Sequence, residues 1–254
     1  MIRKARGAAL LLVLRLLLLG RPQPAAGPTG SKIWIGRYQE IEAYLRTAEC
    51  VNMEFLKFVT RCSLRPGGPV ARMAWRARPP GIYRGFRESY KAEIAAYEVD
   101  KLLKLDMVPP SVERRLDDKT GAAQLWVEDV VDSTTSPTPD ESIRNRWEND
   151  LARMTMFDDF IGSRDRNTGN MLHDTSWNLI LLDHSRAFPT NTELPRKMTR
   201  VDATLWKAMV DLPRSRLETT LSPWLSKDEI SAVIERREKM KAEIKLLPGS
   251  TRGR

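Results

Sequence analysis

Two acids and one amide carry the most chemical information in this chain. From Ser163 to Phe188 it reads S-R-D-R-N-T-G-N-M-L-H-D-T-S-W-N-L-I-L-L-D-H-S-R-A-F. Asp165 and Asn170 lie five residues apart in a polar, Gly-containing loop, and a short apolar strand, Asn178 to Leu182, then delivers a second acid, Asp183. Phosphoryl transfer from ATP needs these parts. One carboxylate accepts or orients the proton of an acceptor hydroxyl, while an amide oxygen and a second carboxylate hold Mg2+ against the phosphates. In that scheme Asp165 orients the acceptor, and Asn170 and Asp183 are the metal ligands, Asp183 being fixed by the apolar strand before it. A surface turn rich in Asp, Asn and Gly, leading into an ordinary core strand, uses the same residues, with Asp165 as its cap. Of the two histidines, His184 follows the metal acid and is not expected to be catalytic. His173 is expected at the surface or in support of the site, and a Ser-His-Asp hydrolase has few ways to be assembled from this pair.

The order of elements around these residues decides between the two readings. Apolar spacing predicts a helix over Tyr38 to Ala48. Val51 to Ser63 and Val70 to Ala77 read as two strands of a hairpin joined by Arg65-Pro66-Gly67-Gly68-Pro69. A long helix over Glu88 to Leu105 should bury Ile94, Tyr97, Val99, Leu102 and Leu103, and Val108-Pro109-Pro110 ends it. Two strands follow, Ser111 to Leu116 and Ala122 to Val130, around the turn signal Asp117 to Gly121. Asp132 to Asp140 is a linker by composition. Beyond it the pattern is mostly helical: Ser142 to Ile161, Asp202 to Met209, Arg214 to Leu221 and Lys227 to Leu247. Trp206 and Trp224 read as core, and the tail from Gly249 as disordered.

A small lobe of sheet plus helix, then a helical lobe opening on D-x4-N and a later Asp, is the plan of a bilobal α+β, protein-kinase-like fold. The helix-then-V-P segment Y-K-A-E-I-A-A-Y-E-V-D-K-L-L-K-L-D-M-V-P-P-S-V (Tyr90 to Val112) resembles an element of two atypical kinase families. These are the type II phosphatidylinositol 4-kinases and the secretory-pathway kinases of the Golgi casein kinase type. The stretch F-D-D-F-I-G-S-R-D-R-N-T-G-N-M-L is similar to their catalytic loop, and L-L-D-H-S-R-A-F-P to their metal-binding strand end. The resemblance spans about residues 50 to 190 and implies a small lobe over 31–131 and a large lobe over 141–248. It also implies a nucleotide partner and a hydroxyl-bearing acceptor, whether protein, glycan or lipid head group.

Such a site also needs a cation on the third strand paired with a Glu on the adjacent helix. Arg76 in M-A-W-R-A-R stands where these families usually carry Lys, and Glu93 is placed to pair with it, ahead of Glu98. Arginine keeps the charge but not the compact geometry. Lys91 and Arg78 are alternative cations, and Lys57 is expected to be solvated. The hairpin carries no Gly-rich phosphate loop, because Phe58-Val59-Thr60-Arg61 contains no glycine. Gln124 to Glu128 would form the hinge, with the backbone at Leu125 and Val127 facing adenine and Trp126 packing or stacking. The missing loop and Arg76 also suit a degenerate kinase fold that binds nucleotide or a protein partner without turnover.

Composition adds bounds. Hydrophobic residues make up 41% and charged residues 30% of 254, as in a folded, soluble chain. The formal charge is +9, but Arg3, Lys4, Arg6, Arg15 and Arg21 fall in the acid-free first 26 residues and leave +4 for the rest. With no basic stripe, no nucleic acid partner is expected. The basic start, the apolar run Ala8 to Leu19 and the small residues Ala25-Ala26-Gly27 read as an export signal over 1–26, pointing to the secretory pathway. Arg15 interrupts the run, which is short of the roughly 20 residues of a membrane span. Uncleaved, it would leave a membrane anchor, and a cytoplasmic tail is the other alternative. Cys50 and Cys62 either pair in an oxidising compartment or stay buried as thiols.

Overall fold

The computed structural model describes residues 31–57, 59–133 and 138–247. The export segment over 1–26, the Pro/Gly-rich stretch Arg21 to Gly30, Phe58, residues 134–137 of the Asp132 to Asp140 linker and the tail from Gly249 lie outside the described residues. In chain order the elements are α1 (Tyr38–Thr47), β1 (Cys50–Phe55), β2 (Thr60–Leu64), β3 (Arg72–Arg76), β4 (Gly81–Tyr83), β5 (Phe86–Glu88), α2 (Tyr90–Leu103), β6 (Ser111–Leu116), β7 (Lys119–Leu125) and β8 (Val130–Asp132). Then come α3 (Glu141–Ile161), β9 (Met171–Asp174), β10 (Leu179–Leu181), α4 (Ala203–Asp211), α5 (Arg214–Leu221) and α6 (Lys227–Leu246).

The first lobe is built on an antiparallel sheet of order β1-β2-β3-β7-β6. Alternation along a strand sends neighbours to opposite faces. Ala123 and Leu125 therefore meet Ile41 and Leu45 of α1 on one face, while Ala122 meets Tyr90 and Ile94 of α2 on the other. The stretch Val51 to Ser63 is not one strand. It folds back on itself, with the Leu56 N–H donating to the Val59 carbonyl at 2.9 Å, and gives β1 and β2. A disulfide joins Cys50 and Cys62 across this pair, their Cα atoms 5.7 Å apart. The turn expected to end at Gly121 is tighter, because Asp117 takes the left-handed backbone (φ +53°) and β7 starts at Lys119. Gly121 instead lies inside β7, where a Cβ would fall 2.5 Å from the Arg76 carbonyl oxygen. Only glycine lets β7 come this close to the end of β3.

Helix α2 is buried on most sides, which suits a helix wedged between the sheet and the second lobe. Ser89 caps its start, its Oγ accepting the Lys91 N–H at 3.0 Å. Its buried Asp100 accepts the N–H groups of Met107 and Val108 at 2.9 and 3.0 Å, and so fixes the segment that enters β6. The hairpin β4–β5 was not expected, since its strands are three residues each; Arg84 (φ +50°) and Gly85 (φ +82°) form its turn.

The chain leaves the first sheet through residues 126–129 and enters a second, of order β10-β9-β8. The expected strand Ala122 to Val130 is thus two strands of different sheets. The second lobe packs α3 to α6 around Met156, Phe157, Phe160, Leu217 and Val233. Trp206 and Trp224 lie partly buried at the margin of this core rather than within it. His173 is buried rather than at the surface, with its ring stacked on Trp177 at 4.1 Å. Among the described residues no helix is long and apolar enough to cross a membrane.

Candidate active site

The cleft between the lobes brings the expected residues together. Asp183 lies two residues past the end of β10, after Leu182, and takes a left-handed backbone (φ +55°), which Asp tolerates better than most residues. That turn aims its carboxylate toward β3, where Arg76 Nη1 donates to Asp183 Oδ1 at 2.5 Å. The same nitrogen pairs with Glu93 Oε1 from α2. The Glu93 side chain is only 5% exposed, and its other oxygen accepts the His184 backbone N–H at 2.9 Å. Arg76 is thus the cation that ties β3, α2 and the end of β10 into one unit. Glu98 pairs instead with Lys101 on the outer side of α2, Arg78 pairs with Glu88, and Lys91 lines a separate cavity.

The charges answer to this arrangement. Burial lifts the Asp183 carboxyl, but the Arg76 charge and hydrogen bonds from Ser185 and Arg76 outweigh it and hold the group below its ordinary value. Burial pushes Glu93 up to about 7, with the Arg76 charge opposing the shift and the negative charge of Asp183 adding to it. Burial also works against the Arg76 charge, and the two carboxylates more than restore it.

Asp165 and Asn170 sit on the loop between α3 and β9. Asn170 ends a single 3-10 turn (Thr168–Asn170), and its Nδ2 donates to the Asp165 carbonyl at 3.1 Å. That bond assigns Nδ2 as the donor and leaves Oδ1 as the side-chain acceptor. Asp165 Oδ2 pairs with Arg186 Nη1 at 3.0 Å. Asp165, Asn170 and Asp183 line one cavity of about 640 Å³, together with Lys57, Arg76, Arg78, Arg84 and Arg186. Lys57 is exposed, and its side chain stands at the wall of this cavity.

A second cavity of about 460 Å³ shares Arg76 and Asp183 with the first, so the two form one cleft with a charged half and an apolar half. The apolar half is walled by Val59 and Ala74 on the sheet side and by Leu172 and Leu182 below, with Leu125, Trp126 and Val127 at its back. The Leu125 N–H donates to the Pro110 carbonyl at 2.8 Å and the Trp126 N–H to the Arg72 carbonyl at 3.2 Å. Both are committed to the sheet, so the N–H of Leu125 is not a base-reading group as expected. The Trp126 ring is not core: it is half-buried, lines the cleft and carries the Arg61 guanidinium 5.1 Å from its centroid.

Sequence reasoning missed the residue that organises the loop. Arg166, next to Asp165, is almost wholly buried and donates from Nε and Nη2 to the two oxygens of Asp158 on α3 at 3.1 and 3.0 Å. Its Nη1 reaches the carbonyls of Asn170 and Leu182 at 3.0 and 2.7 Å, and Nη2 reaches His184 Nε2 at 2.8 Å. Arginine can only donate, so His184 Nε2 accepts and its proton is on Nδ1. Burial, with Arg166 adding to it, lowers the His184 pKa well below its ordinary value and keeps the ring neutral. One buried guanidinium thus locks the loop carrying Asp165 and Asn170 to the strand carrying Asp183. The available signal was an arginine directly after the acid of the loop and followed by a metal-type strand end.

Among the described residues no cluster of three or more His, Cys, Asp or Glu is placed to hold a metal alone. Asp183 and Asn170 offer two oxygen donors, which suits a hard cation that takes its other ligands from phosphates and water.

Comparison with known proteins agrees with this architecture. No family model and no curated protein matches the sequence. Solved structures do match the fold. The chain is similar to the Golgi casein kinase with Mn/ADP bound, at TM-score 0.61 and 14% identity over 82% of this chain and 75% of that one. It is similar to hydra Fam20 with sugar, at TM-score 0.62 and 16% identity over 82% and 88%. The Helicobacter pylori proinflammatory kinase CtkA aligns at TM-score 0.51 and 10% identity over 78% and 94%. The chain therefore has an atypical kinase-like fold, with a sheet lobe and a helical lobe. The resemblance to secretory-pathway kinases of the Golgi casein kinase type extends from motifs to the whole fold, while the one to type II phosphatidylinositol 4-kinases rests on sequence motifs.

Proposed function

We propose that this protein is an ATP-dependent phosphotransferase acting on a hydroxyl acceptor. The observation that carries the reading is the meeting of Asp165, Asn170, Asp183 and the Arg76–Glu93 pair in one cleft with an apolar half behind it. Adenine fits between Ala74 and Leu182, and its polar edge is read by backbone groups from Val127 onward. Asn170 Oδ1 and the Asp183 carboxylate would hold a divalent cation, Mg2+ in this reading, which when bound neutralises phosphate charge. Arg76 steadies the nucleotide phosphates. Asp165 orients the acceptor hydroxyl and takes its proton as the oxygen attacks. Three acceptors suit the reading: a protein side chain, a glycan and a lipid head group. The Cys50–Cys62 disulfide and the apolar start of the chain support an exported protein in an oxidising compartment.

A second reading has its own support. Arg76 Nη1 lies 2.5 Å from Asp183, and a guanidinium so close competes with a metal for that carboxylate. On this reading the fold binds nucleotide or a protein partner without turnover. ADP release from Mg-ATP by the full chain, against an Asp183→Ala control, separates the two. Magnesium-dependent release that the substitution abolishes supports phosphotransfer. No release, with the melting temperature raised by Mg-ATP, points to nucleotide binding alone; no release and no shift point to a protein-binding scaffold.

A further inference from the structure

The β4–β5 hairpin holds two guanidiniums at the charged half of the cleft. Glu88, at the end of β5, has a side chain only 7% exposed. One of its oxygens takes Arg78, whose guanidinium also lies 4.8 Å from the Tyr83 ring. The other takes Arg186 through Nε at 3.1 Å and Nη2 at 2.9 Å, and that guanidinium lies 4.2 Å from the Phe86 ring. With Nε and Nη2 engaged, Nη1 points the remaining way and meets Asp165 Oδ2 at 3.0 Å. Arg186 is tied to the metal-type strand end as well, since its neighbour Ser185 donates to Asp183 Oδ1 at 2.9 Å.

An ordinary salt bridge explains this poorly. The Arg186 and Asp165 side chains are 30% and 37% exposed, a setting in which an ion pair adds little to stability. Nor is Arg186 required to neutralise Glu88, because Arg78 already does so. What the anchoring secures is direction: an aromatic face and a buried carboxylate fix the plane of a guanidinium whose free end lies beside the acceptor-orienting acid.

Resting on the phosphotransfer reading above, we propose that Arg186 is a catalytic residue of the transfer step, an arginine supplied from the same chain, and that Glu88 and Phe86 aim it. The acceptor oxygen bonds to the γ-phosphorus as the bond from that phosphorus to the bridging oxygen breaks. The bonding pair leaves with ADP and the hydroxyl proton passes to Asp165. Arg186 neither gains nor loses a proton. Its Nη1 shifts from Asp165 to an equatorial phosphoryl oxygen, where negative charge is spread in the transition state. The residue thereby takes up part of the work that a Gly-rich loop does elsewhere.

The test measures ADP release from Mg-ATP alone by the full chain, by Arg186→Ala, by Arg186→Lys and by Asp183→Ala. Arg186→Ala should lower kcat by about a thousand-fold, in the range of an arginine finger. Its nucleotide KM should stay within about threefold, the pattern of an interaction made in the transition state. Guanidinium ion added to Arg186→Ala should recover at least about tenfold of the lost rate, and Arg186→Lys should fall between, because lysine cannot span Glu88 and Asp165 with a planar fork. A merely structural arginine would lower the melting temperature and raise KM without such rescue. If Asp183→Ala is dead while Arg186→Ala keeps the unaltered kcat or exceeds it, the inference fails and phosphotransfer stands. If the unaltered chain releases no ADP, the phosphotransfer reading falls and this inference falls with it.

Discussion

Replacing Arg166 by methionine removes the tie between the loop bearing Asp165 and the strand bearing Asp183 at nearly constant volume. The Arg166 and Asp158 side chains are 1% and 0% exposed, so water cannot compensate the lost partner. Breaking a buried pair from one side costs about 3–5 kcal/mol. Arg196, 3.6 Å from Asp158, keeps some compensating charge and reduces that term. The two carbonyls deprived of a donor, those of Asn170 and Leu182, each add about 1 kcal/mol. The net is about 4 kcal/mol, which at about 2–4 °C per kcal/mol for a chain of this size lowers the midpoint by about 8–16 °C. Scanning calorimetry of the full chain measures it. The double variant Arg166→Met/Asp158→Leu removes both charges and should regain about half of the loss, since the penalty belongs mainly to the stranded carboxylate. A single-variant shift below about 4 °C, or additive losses in the double variant, would refute the assignment of Arg166 as the lock.

Two further outcomes follow from groups outside the cleft. Asp159, on α3, has one oxygen on the Arg196 N–H at 2.9 Å and the other buried without a partner; burial, with the Glu243 charge adding, pushes it up to about 7 from its ordinary 3.8. The folded state then holds a proton that the unfolded chain releases. Its contribution is complete below 3.8 and is lost as pH rises through about 7, so Asp159→Asn should flatten the fall of the melting temperature over that window, and an unchanged slope would contradict the assignment. The Cys50–Cys62 disulfide closes a short loop, with a sequence separation of 12, and by chain entropy contributes about 3 kcal/mol. Cys50→Ser should lower the midpoint by about 6–12 °C, and reduction of the native protein should match it.

What could be read from the sequence was what local chemistry dictates. Ala122 and Ala123 fall on opposite faces by alternation, helix α2 is marked by its apolar spacing and stopped before Pro109, and Asp165, Asn170 and Asp183 stand out through the order of elements around them. Other features depended on long-range contacts. The break at Leu56 to Val59 has no glycine to announce it, and it forms because β1 pairs back on β2. Gly121 reads as a turn residue until the Arg76 carbonyl is seen against it. The β4–β5 hairpin is too short for a periodic signal. Arg166 and Arg186 look like surface charges in a polar stretch, and only tertiary contact turns one into a buried lock and the other into an aimed guanidinium.

The exchange of lysine for arginine at position 76 changes less than its chemistry first suggests. A lysine there would have to meet Glu93 and the nucleotide phosphates with one compact ammonium. In this fold a single nitrogen, Nη1, meets both Glu93 and Asp183. Arg76 therefore acts toward the two acids much as a point donor would, and its planar remainder extends toward the shared wall of the charged and apolar halves of the cleft. The exchange bears instead on Asp183, whose carboxylate lies between a fixed guanidinium and any cation it must bind. Glu93, buried on α2, holds the same nitrogen from the other side, so that Arg76 is shared between the two acids. On the phosphotransfer reading, a cation at Asp183 would have to share that carboxylate with a guanidinium that Glu93 of α2 also holds.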